Sequence, residues 1–302
     1  MRVAAVDLGT NSTRFLVADV ENGAVKEVAR GLRITGLGEG VDARRRLLPL
    51  PIARVRNSLS DFRREIERLG AERTLAVGTS AVRDADNGEA FLGEVEWSYG
   101  FATRLLSGNE EAALTFRGAL LGRKDADGAM VVDLGGGSTE LVTPERAVSI
   151  DIGSVRMTEQ LGEDVEAIAV RVRELLPTDL TPERAIGVAG TITSLAALDL
   201  GLDTYDPDRV HGHVLSAAAV DEQLQRLAAL SLEERRRLPS LEPERAPVIV
   251  AGAAIVREIL RCYDLDGIEA SEHDLLHGVA LEAASLPEPG EGDAPPGAYT
   301  CC

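Results

Sequence analysis

The sequence predicts an α/β fold of two similar lobes with a cleft between them, and three observations predict it. "AAVDLGTNSTR" at 4–14 and "MVVDLGGGSTE" at 130–140 share one grammar: an apolar run, Asp-Leu-Gly, small and hydroxyl residues, then apolar alternation again. "AVGTSAV" at 76–82 and "VAGTITS" at 188–194 form a second matched pair in the same order. Around both, short apolar runs alternate with segments whose apolar residues recur every three or four positions, as strands alternating with amphipathic helices do. Two landmarks repeated in order imply a duplicated α/β unit.

Taken in order, residues 2–8 read as a buried strand and 13–20 as a second, with "GTNS" as the tight link. "AVKEVARGLRITGLG" alternates enough for a third strand before a polar loop. Ile52, Val55, Leu59, Phe62, Ile66 and Leu69 share one helical face, so 51–69 reads as an amphipathic helix. "TLAVGTS" is a short strand, a helix starts around "AVRDADNGEAFLGEV", and "ATRLLSGNEEAALTFRGALLG" reads strand, turn, helix. The second half repeats the order: strands at 129–134, 139–143 and 146–152, helices over 154–176, the strand "AIGVAG" and a helix from Thr193. "VIVAGAAIVREIL" at 248–260 has helical spacing and reads as a buried helix. The lobes are expected at 1–122 and 123–273, with a helix near 274–285 packing back on the first. The acidic, Pro/Gly-rich stretch 286–302 reads as a disordered tail.

The chain has 302 residues, and 44% hydrophobic content is ample for a core; with 3% aromatics, that core must be built from Ala, Val, Leu and Ile. A net charge of −18 argues against nucleic acid, whose binding rests on Lys and Arg neutralising phosphates. Lys26 and Lys124 are the only lysines and neither sits in a GxxxxGK[ST] loop, so phosphate chemistry must use amides, hydroxyls, arginine and metal ions. No apolar run has the length of a membrane helix and no signal peptide is visible, so the expectation is a cytoplasmic protein without membrane contact. Cys262, Cys301 and Cys302 give neither a disulfide framework nor a metal-ligand spacing.

The chemistry concentrates in the two hairpins. Glycine turns let the backbone aim several N–H groups at an anion, and Ser12, Ser138 and Thr139 add hydroxyls. Asp7 and Asp133, ending the first strand of each hairpin, can then hold a divalent cation beside the phosphates, with Glu140 as a further ligand. The bland alternative is that such sequences merely make hairpin turns; two copies facing one cleft argue against it. "GTSAVRDADN" puts Thr79, Ser80 and Arg83 near a helix start, where an anion is welcome, although Arg83 also suits an ordinary surface ion pair. "SGNEEAAL" places Glu110 and Glu111 in a first helical turn, where acids complement the dipole by about 0.3–1 kcal/mol whatever else they do.

"DLGTNSTR", "VGTSAVRDADN", "SGNEEA" and "DLGGGSTEL", in that order, resemble the exopolyphosphatase/guanosine pentaphosphate phosphohydrolase family over about residues 2–284. That family shares the fold of the actin-like, sugar-kinase and chaperone-ATPase superfamily. The resemblance implies two ribonuclease-H-like lobes and Mg²⁺- or Mn²⁺-dependent hydrolysis of a terminal phosphoanhydride, with inorganic polyphosphate ahead of pppGpp as substrate. It makes Glu111 the base that activates water and leaves Glu110 a capping role. It makes Gly9, Thr10, Asn11, Ser12, Thr79, Arg83, Gly135, Gly136, Gly137, Ser138, Thr139, Gly190 and Thr191 phosphate contacts, and Asp7, Asp133 and Glu140 metal ligands. A kinase-like or actin-like ATPase is the more distant reading, and a homodimer is compatible with the sequence.

Two segments depart from that pattern or invite over-reading. "SEHDLLHG" replaces the Leu-Arg-Glu-Gly ending of longer family members. Its His273 and His277 have a metal-like spacing only if the segment is helical, and no third ligand is evident. "HGH" at 211–213 reads as a structural turn. The absence of an additional C-terminal module leads to the expectation of distributive cleavage.

Overall fold

Arg2–Leu8 forms strand β1, buried from Val3 to Leu8 because it lies inside a sheet covered on both faces. It pairs antiparallel with β2 (Ser12–Glu21), which pairs antiparallel with β3 (Ala24–Ile34). After the short helix α1 (Val41–Arg44) and the long α2 (Pro49–Arg68), β4 (Arg73–Gly78) returns parallel to β1. Helices α3 (Ser80–Asp84) and α4 (Gly88–Tyr99) lead to β5 (Ala102–Leu105), parallel to β4, and α5 (Gly108–Ala119) follows. The sheet order is β3-β2-β1-β4-β5. This computed structural model describes residues 1–123 and 127–287, so most of the expected 286–302 tail lies outside the described residues.

The two-residue period of the strands sorts their side chains between two cores. Ala4, Val6, Leu8, Phe15, Val17 and Ala76 pack with Val55, Leu59, Phe62 and Ile66 of α2 and with Phe91, Leu92 and Val95 of α4. Val3, Ala5, Leu16, Ala18, Leu75 and Val77 face the opposite way. There they meet Leu114 of α5 and Leu275, Leu276, Val279, Ala280 and Ala283 of the last helix, α13 (Leu275–Ala283). Gly278 of α13 lies so close that a Cβ there would come within 2.0 Å of the Leu114 carbonyl oxygen. Glu282 ties the same helix to Arg104 at 2.9 Å.

The second unit, Arg123–Asp274, has the same plan. β6 (Ala129–Leu134), β7 (Thr139–Val142) and β8 (Ala147–Ile150) form an antiparallel meander, and helices α6 (Ser154–Leu161) and α7 (Val165–Leu175) follow. β9 (Arg184–Val188) returns parallel to β6 and feeds α8 (Gly190–Asp199). Then come α9 (Pro207–Val210), β10 (Val214–Ser216), α10 (Ala217–Ala229), α11 (Leu232–Arg235), α12 (Ile249–Cys262) and β11 (Gly267–Ala270). The order β10-β11-β9-β6-β7-β8 reproduces the first sheet's arrangement, three antiparallel strands then two parallel, plus the edge strand β10. This is the duplicated α/β unit the sequence predicts, with the ribonuclease-H-like topology the resemblance implies. The segment 248–260 is indeed helical, and nearly all of α12 is buried. Unit one comprises Met1–Gly122 with the chain from Leu275 on. No helix among the described residues is long and apolar enough to cross a membrane.

Candidate active site

The two hairpin turns are built alike. The N–H of Gly9 donates to the Ser12 carbonyl at 3.0 Å, and that of Gly135 to the Ser138 carbonyl at 3.0 Å. In each, a neighbouring segment holds the turn's carbonyls. In unit one, Gly38 N–H donates to the Thr10 oxygen at 2.8 Å, while Thr35 and Gly36 donate to the Asn11 oxygen at 3.0 and 2.9 Å. In unit two, the first turn of α6 does this work. Ser154 donates to the Gly135 oxygen at 3.1 Å, and Val155 and Arg156 donate to the Gly136 oxygen at 2.8 and 3.0 Å. Arg156 Nε completes the set on the Gly137 oxygen at 2.7 Å.

This clamping has a consequence for the amides. Across a trans peptide the C=O and the following N–H point in opposite directions. With the carbonyls of 135, 136 and 137 turned toward α6, the N–H groups of Gly136, Gly137 and Ser138 are directed away from it. Successive amides left unspent in a turn are suited to binding an anion. The approach requires glycine at 153, where a Cβ would come within 2.3 Å of the Gly136 oxygen. Gly38 plays the matching part against Thr10 in unit one, with 2.3 Å to Thr10 Cγ2.

Strand register places the other candidates beside these turns. Leu8 is paired with Gly78, so the loop after β1 adjoins the start of α3, and Thr10 Oγ1 accepts from the Ala81 N–H at 3.2 Å. Thr79, 4% exposed, is the N-cap of α3, and Arg83 lies in its last turn. Arg83 Nη1 donates to Glu111 Oε2 at 3.0 Å and to the Leu106 carbonyl at 2.9 Å. Asp133 is paired with Val188, so Gly190 and Thr191, opening α8, adjoin the glycine turn of unit two.

The adjacent glutamates of α5 have separate commitments. Ser107 is the N-cap, and Glu110 completes a capping box with it, an S-x-x-E signature present in "SGNE". Those hydrogen bonds from Ser107, helped by Arg104, push the Glu110 carboxyl down to about 2. A carboxyl depressed on folding adds stability that is complete above its ordinary range and lost as pH falls through the folded value. Glu110→Gln should therefore cost about 1 kcal/mol or less at neutral pH, because the Arg104 pair is largely open to water. The Tm gap to wild type should narrow as pH approaches 2, and kcat should stay near wild type. A gap that widens in acid would contradict this assignment. Glu111, one residue on, is buried against Arg83 instead.

The acids of the hairpins differ in setting. Asp7 stands opposite Arg14, whose Nε and Nη2 reach Asp7 Oδ2 at 3.0 and 2.8 Å. A cation at Asp7 must share that carboxylate with a guanidinium. In unit two, the residue opposite Asp133 is Glu140. Cross-strand partners share a face, so this register puts two buried carboxylates side by side, where together they can offer oxygens to a cation. Ser149, opposite Glu140 on β8, donates to Glu140 Oε1 at 2.7 Å. Two carboxylates fit a Mg²⁺ ion, which keeps waters and takes further oxygens from phosphate. Among the described residues no three His, Cys, Asp or Glu side chains gather as a metal cage.

The histidine spacing does not become a helical pair, because α13 starts at Leu275 and His273 precedes it. His273 instead packs on His211 with ring centroids 4.8 Å apart, and His277 is buried. His211 Nδ1 accepts from the Glu272 N–H at 3.1 Å, and His213 meets Asp199 at 2.7 Å. "HGH" is a turn, followed by β10 before the next helix. Sequence reasoning gave no part to Arg14 or to Arg156. The mirrored turns could have found Arg14, since it holds the place that Glu140 holds in the second hairpin.

Ala189, the N-cap of α8, has φ 70° and ψ 167°, a conformation that side chains disfavour. Such strain costs about 1–3 kcal/mol, against roughly 0.4–1 kcal/mol for glycine's freer unfolded chain. Ala189→Gly should thus raise stability by about 0.5–2 kcal/mol. Thermal unfolding checks it; a clear fall in Tm would show that the surroundings have relaxed the strain.

Residues 16–286 match the Ppx/GppA phosphatase family. The chain is 39% identical to exopolyphosphatase 2 of Mycobacterium tuberculosis, over 94% of this chain and 98% of that protein. It is 30% identical to the guanosine-5'-triphosphate,3'-diphosphate pyrophosphatase of Vibrio vulnificus, over 93% of this chain and 59% of that protein. Among solved structures, an exopolyphosphatase-like protein superposes with a TM-score of 0.85 at 33% identity, covering 93% of this chain and 98% of that one. With that match spanning most of both units, the chain belongs to the Ppx/GppA phosphatase family.

Proposed function

We propose that this protein is an exopolyphosphatase that releases orthophosphate from the end of inorganic polyphosphate. The observation that carries the reading is the pair of clamped turns, whose carbonyls are tied back so that successive amides present themselves to an anion. The relatives favour polyphosphate over pppGpp: the chain covers 98% of the mycobacterial exopolyphosphatase but 59% of the Vibrio pyrophosphatase.

In this reading Glu111 takes a proton from the water that attacks the terminal phosphorus. The bond from that phosphorus to the bridging oxygen breaks, and the electron pair stays with the shortened chain. The amides of Gly136, Gly137 and Ser138, with the hydroxyls of Ser138 and Thr139, bind non-bridging oxygens where charge gathers in the transition state. Gly9, Thr10, Asn11, Ser12 and Thr79 serve the same end in unit one, and Gly190 and Thr191 in unit two. Arg83 steadies Glu111 and offers its remaining guanidinium N–H groups to phosphate. Asp133 and Glu140 hold Mg²⁺ or Mn²⁺, and Asp7 contributes only as far as Arg14 shares it. The cation, when bound, offsets phosphate charge, which a chain of net charge −18 needs to accept a polyanion.

Phosphate release from polyphosphate, pppGpp and ATP, assayed side by side with Mg²⁺, tests the reading. The expected result is fastest release from polyphosphate. Faster turnover of pppGpp would transfer the assignment to the nucleotide, and tight ATP binding with no release from polyphosphate would overturn it.

A further inference from the structure

The two turns match position by position, Gly9 with Gly135 and Ser12 with Ser138, so Asn11 corresponds to Gly137. Their carbonyls are held differently. The Asn11 oxygen accepts from two neutral main-chain amides, those of Thr35 and Gly36, at 3.0 and 2.9 Å. The Gly137 oxygen accepts from a cation, Arg156 Nε, at 2.7 Å. Arg156 is the third residue of α6, and there one residue serves two carbonyls: its own N–H goes to Gly136 and its side chain to Gly137. The side chain is only 12% exposed, and its Nη2 lies 3.8 Å from Oδ1 of the exposed Asp151. Taking a guanidinium out of water is costly, and unit one shows that such a turn can be held without one.

What the charge adds acts through the peptide. A cation on a carbonyl oxygen polarises the amide group, and hydrogen bonds in series strengthen one another where water is excluded. The N–H in the same peptide plane as the Gly137 carbonyl is that of Ser138, and with no cis peptide there it points the opposite way. We infer that Arg156 is a positioning residue, fixing the 137–138 peptide and making Ser138 N–H a stronger donor to a phosphoryl oxygen. The inference rests on the phosphohydrolase reading for what that amide binds. The stronger donor then belongs to the hairpin that carries Asp133 and Glu140, the pair assigned to the cation.

Counted from Cα, glutamine Nε2 takes the place of arginine Nε, and methionine Cε takes it without a donor. Arg156→Gln therefore keeps the hydrogen bond and loses the charge, whereas Arg156→Met loses both. With tripolyphosphate and Mg²⁺, Arg156→Met should lower kcat about 10- to 100-fold, less than the ~10²–10³ for deleting an oxyanion donor outright. Its KM should move by less than about threefold, since the amide gains strength as charge develops in the transition state. Arg156→Gln should lie between wild type and Arg156→Met, because the peptide is held but not polarised. Asp151→Asn should match wild type. Calorimetric binding of orthovanadate, which takes the five-coordinate shape of a transferring phosphoryl group, should weaken in the same order as kcat. A merely structural loss would lower the fraction of folded protein and Tm without changing that affinity. Wild-type kcat in Arg156→Met, a glutamine variant equal to wild type or to Arg156→Met, or an equal loss in Asp151→Asn overturns the inference. If Arg156→Met does not fold, Arg156→Gln decides alone: a lower kcat at unchanged Tm supports the inference, and wild-type kcat overturns it. If the wild type releases no phosphate, the functional reading fails and vanadate affinity alone decides. The ordered weakening then keeps the inference, and equal binding, or none, overturns it.

Discussion

Glu111→Gln should lower kcat for phosphate release by about 10²–10⁴-fold, the range for losing a general base, with much less change in substrate affinity. Glutamine keeps the shape of the side chain and can still accept from Arg83 Nη1, so the contact at 3.0 Å need not be lost. What disappears is the capacity to take a proton. The neighbouring residue is the internal control. Glu110 is spent on the Ser107 capping box and on Arg104, so its replacement reads out in stability. Rates measured at saturating substrate, with Tm alongside, separate the two. Equal losses at both positions, or full activity in Glu111→Gln, would sink the base assignment. A fall in kcat with an equal fall in Tm would mean that Glu111 serves the fold through Arg83 and Leu106 rather than the chemistry.

The features legible in the sequence are those fixed by neighbours in the chain. Both hairpins, the strand alternation and α2 follow from spacing, and the matched turns reveal the duplication. Helix starts were less legible where no side chain announces them. α2 begins at Pro49 after Leu48, and α8 begins at Gly190 rather than Thr193, after a strained Ala189. α5 is the opposite case, since its capping box was readable and fixes Ser107 as the N-cap. The contacts that escaped the sequence are those made by register or by distant segments. Arg14 meets Asp7 because the turn is four residues long, and Arg245 meets Gly190 only because the chain before α12 passes over α8. His273 and His277 show the converse case, a spacing that resembles a ligand pair but is not read as one, and the helix start at Leu275 separates them. The carbonyl clamps on the turns were equally hidden, since Gly38 and the first turn of α6 carry no motif of their own.

Asp133→Asn and Glu140→Gln should each raise the Mg²⁺ concentration needed for half-maximal activity by about 10- to 100-fold, at least the effect of losing a single outer-shell partner. The reason lies in the register of unit two, which sets these buried carboxylates opposite one another. Each substitution removes half of the negative charge that the pair offers a cation. Tm measured in EDTA alongside separates loss of the cation from loss of the fold. Ser149→Ala supplies a graded comparison: it leaves both acids but frees Glu140 Oε1 from the hydroxyl at 2.7 Å. A smaller shift in Mg²⁺ requirement is expected there, with maximal rate recovered at high metal. Asp7→Asn is the contrast from unit one, where the residue opposite Asp7 is not a second carboxylate but Arg14, at 2.8 Å. Its Mg²⁺ requirement should move least of the three acids. Full activity of wild type in EDTA, or equal Mg²⁺ shifts at Asp7 and Asp133, would overturn the placement of the cation with Asp133 and Glu140.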